Sequence, residues 1–262
     1  MPRFLTMLLV VLLAVGVSTG CSKKKKDDRD MKSPASELMK TGDRSLKAGN
    51  WNNAIRAYET LEARFPFAKE TKQAQLNLIY AYYSNGEPEA ALEATEQFER
   101  ENPTHPRMDY ALYMRGLAQF SGEKGLTHKY MGVDVSRRPP VKAEESFIAF
   151  NQLLRRFPDS KYAPDARQRM LFLRNRLAEH QNHIIVYYYD RGAFAAAANR
   201  ANESLVRYNG APELETTLIL LVKSYRQLGM QDLADDAYEV LMANFPDARL
   251  ESIKPPWYQF WR

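Results

Sequence analysis

The chain has 262 residues, of which 45% are hydrophobic and 26% charged, with 37 Lys and Arg against 32 Asp and Glu for a net charge of +5. The acidic residues are interspersed with the basic ones throughout, which argues against a nucleic-acid binder; the basic excess suits anionic lipid headgroups or an acidic partner face. A single cysteine excludes an internal disulfide, so the fold has to rest on packing. The first element in the chain is an export signal. Arg3 is its positive start, Phe4 to Val17 is its apolar core, and Ser18, Thr19 and Gly20 form a small-residue cleavage site. That 14-residue core is well short of the roughly 20 residues a membrane-spanning helix needs. Cleavage after Gly20 makes Cys21 the first residue of the mature chain, and an exported chain meets no genome.

Val17-Ser18-Thr19-Gly20-Cys21 resembles the lipobox of bacterial lipoproteins, with Ser18 where leucine is usual. The resemblance implies a diacylglycerol thioether and an amide-linked acyl chain on Cys21, and no other cofactor. Each buried methylene contributes about 0.8 kcal/mol, and two lipid signals suffice for stable anchoring. Ser22 takes the place of the aspartate that marks inner-membrane retention in that class, so the expected address is the outer membrane, on its periplasmic face. Residues 21–32, with the run Lys23 to Lys26 and then Asp27, Asp28, Arg29 and Asp30, cannot bury a core and read as a spacer.

From residue 33 the chain repeats itself. Gly49 and Gly86 stand 37 residues apart, as do Gly192 and Gly229. Sixteen residues after each glycine comes a closing pair: Phe65-Pro66, Asn102-Pro103, Tyr208-Asn209 and Phe245-Pro246. A fifth unit ends at Phe157-Pro158, with Val141 in the glycine's place. Ala54, Tyr58 and Leu61 recur as Ala234, Tyr238 and Leu241, at helical spacing. The small alanine lets two helices approach, and the aromatic one turn later fills the gap beside it.

Tyr82, Tyr188 and Tyr225 each precede a repeat glycine by four residues, which is similar to the tetratricopeptide pattern. Glycine then supplies a left-handed cap between paired helices, and proline stops the second helix. The fold class expected is an all-α solenoid of about five helix-turn-helix units over residues 34–246, opened by Ser33-Pro34. Two stretches depart from the repeat. Ser121 to Pro140 reads as a long loop inside the third unit, and Tyr162 to Asp190 as one long helix joining two groups of repeats. The division expected is 33–160 with loop 121–140, then 161–247, then a tail 248–262.

Several strings outside the repeat consensus resemble the lipoprotein family of the outer-membrane β-barrel assembly machinery. They include Arg64-Phe65-Pro66-Phe67, Leu76 to Tyr83, Asn102 to Pro106, Tyr113 to Leu117, Gly132-Val133-Asp134 and Asp190 to Ala193. The resemblance implies a scaffold that binds the periplasmic domains of the barrel-forming subunit and other assembly lipoproteins. It also implies help in folding barrels and capture of the C-terminal aromatic segments of unfolded outer-membrane proteins. The alternative is a periplasmic repeat lipoprotein serving peptidoglycan or cell-wall machinery. Pro255-Pro256-Trp257-Tyr258-Gln259-Phe260-Trp261 is unlike the family's ending, and its role stays open.

Tyr80, Tyr82, Tyr83, Tyr110 and Tyr113 are candidates for a peptide groove, with inter-helix core as the plainer reading of each. Tyr80 and Tyr83 share a helix face that Tyr82 does not, so these three cannot all meet one core. Arg200 points away from the seam marked by Ala197 and Ala201. It is either a solvated charge or a partner contact, and the resemblance favours contact with the barrel-forming subunit. Arg191 reads as a cation at a helix end. His105, between Pro103 and Pro106, reads as a turn former. His180 and His183 lie one helical turn apart with no third ligand nearby. No phosphate cradle, Gly-x-Ser-x-Gly elbow or His-Glu-x-x-His is present, so no enzymatic role is expected.

Overall fold

The computed structural model describes residues 34–123 and 140–251. Ten helices lie among them, in five hairpins: α1 (Ala35–Lys47) with α2 (Trp51–Arg64), α3 (Thr71–Ser84) with α4 (Pro88–Glu101), α5 (Met108–Glu123) with α6 (Val141–Arg156), α7 (Ala163–Asp190) with α8 (Phe194–Arg207), and α9 (Leu214–Gln227) with α10 (Gln231–Asn244). Each helix packs on the next. First helices also meet first helices, α1 on α3, α3 on α5 and α7 on α9, so they share one face of the solenoid.

The turns inside four hairpins are built alike. Gly49, Gly86, Gly192 and Gly229 have φ between 70° and 80°, the left-handed region that glycine alone enters without a steric penalty. The N–H after each glycine returns to a carbonyl five residues back: Asn50 to Ser45, Glu87 to Tyr82, Ala193 to Tyr188 and Met230 to Tyr225, at 2.9–3.0 Å. This satisfies a carbonyl that the helix end would orphan. Proline comes after the second helix in four units. In the fourth, Gly210 at φ 80° turns the chain instead.

One seam recurs in every unit, at offsets of five, nine and twelve residues from the glycine position. Ala54, Tyr58 and Leu61 are fully buried, and so are Ser146, Phe150 and Leu153. Ala91, Thr95 and Phe98, and Ala197, Ala201 and Ser204, fill the same places. Complete burial of one such large side chain contributes about 1.5–3 kcal/mol. Facing the two aromatic rings are glycines on the first helix, Gly42 against Tyr58 and Gly116 against Phe150. The last unit departs from the expectation. Ala234 and Leu241 are buried, but Tyr238 is 37% exposed, because no described helix packs beyond α10.

Three boundaries sharpen. Pro34 stands just before α1 as its cap residue. α5 runs on to Glu123, three residues into the stretch read as loop, with the Ser121 hydroxyl donating to the Ala118 carbonyl at 2.8 Å. The long helix begins at Ala163, with Tyr162 as its cap, and runs 28 residues. Its first half packs into the core of the second and third units through Ala166, Leu173 and Leu177. Its second half packs into the last two units through Ile185. Asn182 ties it to α9, donating to the Glu213 carbonyl at 2.8 Å and accepting from Thr217 at 2.6 Å.

Alanine ordinarily improves on glycine inside a helix by about 0.5–1 kcal/mol. At Gly116 a Cβ would stand 2.5 Å from the Phe150 ring. Gly116→Ala is therefore expected to destabilise by about 1–3 kcal/mol, lowering the midpoint of thermal unfolding by circular dichroism. Adding Phe150→Leu should recover part of the loss. A raised midpoint in the single variant would show that this seam is loosely packed.

Candidate functional site

The candidate tyrosines lie on first helices α3 and α5, and the structure divides them. Tyr82 belongs to the seam between units. It packs against the core of the first unit, and its hydroxyl donates to Glu59 at 2.6 Å. Burial first, then that carboxylate, raise its pKa. In the last unit Tyr225 sits at the same place and accepts from Asn202 at 2.8 Å. Tyr82 and Tyr225 thus each make an inter-unit hydrogen bond at the same register, to Glu59 and from Asn202. Tyr83 packs on the larger central core. Tyr80 is 39% exposed, its ring edge-on to Trp51 at 5.9 Å.

Tyr110 and Tyr113 meet partners that the sequence reading does not single out. Tyr113 stacks on Tyr162 at 4.7 Å and 16°, and donates to Asp165 at 2.7 Å. Tyr110 meets Tyr162 at 5.6 Å and carries the Arg107 guanidinium 4.8 Å from its ring centre. Arg107 and Tyr162 both stand five residues after a closing residue, Asn102 and Phe157, which is the available signal. Burial would raise the Asp165 carboxyl, but donation from Arg169 and Tyr113 holds it below the ordinary carboxylate value. Arg169 in turn lies 5.2 Å from the Phe120 ring centre.

These contacts join into a ladder across the first-helix face. Asp43 on α1 accepts from Asn77 on α3 at 3.0 Å and from the buried Tyr58 hydroxyl at 2.8 Å. Gln73 donates to Asn77 at 2.7 Å and accepts from Arg107 at 3.3 Å. Arg107 reaches Tyr110, then Tyr162, Tyr113, Asp165 and Arg169 on α7. Four first helices thus share one row of aromatic rings, amides and charges. Such a row offers apolar ring faces together with polar tips, the chemistry that holds an extended peptide.

Arg200 sits elsewhere, on α8. Its guanidinium pairs with Glu203 at 3.2 Å and is about one-third exposed. Glu203 also meets Arg207 at 3.7 Å, and Arg207 crosses to Glu144 on α6 at 2.6 Å. The Arg207–Glu144 end of this row lines a cleft of about 300 Å³ whose apolar lining includes Phe147, Leu177 and Tyr208. His105 shapes its turn: its Nδ1 accepts from the Arg107 N–H at 3.1 Å, and its ring lies edge-on to Phe98 at 5.2 Å. Arg191 lies just past the end of α7, 4.9 Å from the Tyr187 ring centre. Cys21 lies outside the described residues, as do most of the loop and the tail. Among the described residues no helix is long and apolar enough to cross a membrane, and no three His, Cys, Asp or Glu side chains gather in a metal-binding arrangement.

A family model described as an outer membrane lipoprotein matches residues 31–241, leaving the aromatic segment beyond it. The chain is 37% identical over 264 residues to the outer membrane protein assembly factor BamD of Neisseria meningitidis serogroup A, across 97% of this chain and 98% of that one. It is 36% identical over 233 residues to the protein of the same name from Vibrio cholerae, across 89% and 96%. A solved structure of MamA protein aligns with 85% of this chain and 97% of that one, at 16% identity and a TM-score of 0.35.

The Tyr113 phenol is pushed up from 10.0 to about 12, by burial first and then by its bond to Asp165. A phenol that holds its proton more tightly when folded contributes stability that is full below pH 10.0 and lost as pH rises through about 12. Tyr113→Phe should therefore flatten the fall in stability between those two values, measured by urea unfolding at stepped pH. An unchanged slope would mean that the Asp165 bond does not persist in solution.

Proposed function

The chain belongs to the outer membrane lipoprotein family, and from that membership we propose that it is a lipid-tethered scaffold in the assembly of β-barrel proteins into the outer membrane. The similarity runs over nearly the whole of this chain and of its relatives, and that observation carries the reading. The tether is Cys21, supported by the apolar signal and the small residues before it. The solenoid then faces the periplasm and works by holding partners rather than by making or breaking bonds.

Two surfaces divide the work. The first-helix ladder, with Tyr110 and Tyr113 at its rungs and Tyr80 beside it on α3, takes the aromatic C-terminal segments of unfolded barrel proteins. Ring faces bury apolar side chains, while the polar groups along the row meet an extended backbone. Tyr82 and Tyr83 support that face from within the packing. The α8 row, with Arg200 at its outer end, meets the periplasmic domains of the barrel-forming subunit, where a planar guanidinium forms a directional ion pair. Other assembly lipoproteins are further partners.

Depleting the chain should lower the folded fraction of outer-membrane barrels, read as loss of their heat-modifiable gel bands, before wall synthesis fails. Copurified muropeptides without the barrel-forming subunit would overturn the reading. Arg200→Glu should cut recovery of that subunit several-fold in co-purification while helicity by circular dichroism stays unchanged; full recovery would remove Arg200 from the interface. Cys21→Ser should move the chain out of the membrane fraction. Its retention there would refute the lipid tether.

A further inference from the structure

Consecutive helices run antiparallel, so the turns between units gather along one edge of the stack and the turns within hairpins along the other. Three inter-unit turns, 65–70, 102–107 and 157–162, lie side by side. Arg107 donates to Gln73 at 3.3 Å and Ser160 to Asp109 at 2.6 Å, which ties each turn to its neighbour. The fourth is displaced halfway along α7, where Arg174 donates to the Asn209 carbonyl at 3.1 Å. Residues 63–72, 100–109 and 155–164 carry the three turns and the adjoining helix ends. Their exposed charged side chains are seven Lys or Arg and two acids. Among the described residues Lys72, Arg100 and Arg155 pair with no carboxylate. His105 feels this field: burial first, and then the positive charges of Lys72 and Arg107, hold its imidazole below the ordinary value. The opposite edge differs, since hairpin turns 46–53 and 83–90 carry one Lys and two Glu. At the tip of the first inter-unit turn stands Phe67, 100% exposed, where the next two turns have Thr104 and Asp159.

We propose that this edge faces the membrane, its cations meeting anionic phospholipid headgroups while Phe67 enters the interface between them. A single exposed apolar side chain needs no explanation by itself. One flanked by Arg64, Lys69 and Lys72, all exposed, has the composition of an interfacial anchor. Shape favours a lipid surface over an acidic peptide. Pro66, Pro103 and Pro158 stand exposed at the turns, and a row of protruding tips meets a plane rather than enclosing a strand. Direction favours it too. α1 is a first helix, so its start at Ala35 lies on this same edge. The backbone from Cys21 to Ala35 spans at most about 50 Å, and here the inference rests on the lipid tether proposed above. Attraction to headgroups is reversible and fades over a Debye length, about 10 Å at 0.1 M salt. It orients a tethered chain rather than holding a free one.

The test uses the full mature chain with Cys21→Ser, which carries no acyl chain and no other cysteine. At low salt it should sediment with vesicles of phosphatidylglycerol and phosphatidylethanolamine, not with phosphatidylcholine vesicles, and come off in about 0.5 M salt. Each cation at such a surface strengthens binding roughly fivefold, so Lys72→Glu with Arg155→Glu should weaken it roughly tenfold or more. Lys47→Glu with Arg226→Glu makes the same charge change at the hairpin-turn edge and should weaken it no more than about twofold. All four side chains are exposed, and retained helicity by circular dichroism certifies the fold. An environment-sensitive fluorophore on Phe67→Cys should shift to the blue on the anionic vesicles, and one on Ala48→Cys at the other edge should not. Equal weakening by the two pairs, or a Phe67→Cys label that stays in water, overturns the proposal. Vesicles left unbound while Lys72→Glu with Arg155→Glu loses copurifying proteins assigns the edge to an acidic protein face, and overturns it as well. None of these failures touches the tether at Cys21, which is read separately by comparing the acylated chain with Cys21→Ser in membrane fractions washed with high salt.

Discussion

A single helical hairpin cannot bury its own apolar stripe, and everything else in this molecule stems from that. Tyr58, Phe98 and Phe150 reach complete burial only because a further helix closes over each hairpin. The glycine turns, the small residues facing the rings and the hydrogen bonds of Tyr82 to Glu59 and of Asn202 to Tyr225 all fix one hairpin's register on its neighbour. Beyond α10, where no described helix packs, the same seam position stays open to solvent. The ends of the stack are therefore the places where the repeat alone does not specify the surface.

Stacking also creates the face on which the proposed work is done. First helices brought side by side put Asp43, Asn77, Arg107, Tyr113 and Arg169 into one row, although they come from four units. None of these residues is unusual within its own helix. The ladder exists only at the level of the assembled solenoid. The α8 row is similar, since Arg207 pairs with Glu203 on its own helix and crosses to Glu144 from another unit.

The turns and the inner seam are legible in the sequence because they depend on short-range chemistry. A glycine at φ near 70° and an alanine five residues later are local requirements. The different facing of Tyr82 from Tyr80 comes from helical geometry in the same way. The bond from Tyr113 to Asp165 is not legible, since it spans 52 residues and crosses the interrupted third unit. Tyr238 departs from its expected burial for a related reason: a seam residue is closed off by the neighbouring unit, which the periodicity of its own helix does not record. Ser121 to Glu123 read as loop because of the glycines around them, yet α5 carries them on as helix.

Among the described helices α7 alone is twice the usual length, and it has neither glycine nor an interior proline at which to bend. α6 lies along its first half and α8 along its second, and they meet near Leu177 in the middle. The molecule is thus built on one unbent beam rather than as beads on a string. The Tyr113–Asp165 contact is fixed near the start of that beam and α8, which carries Arg200, packs along its far half, so both surfaces take their spacing from a single rod.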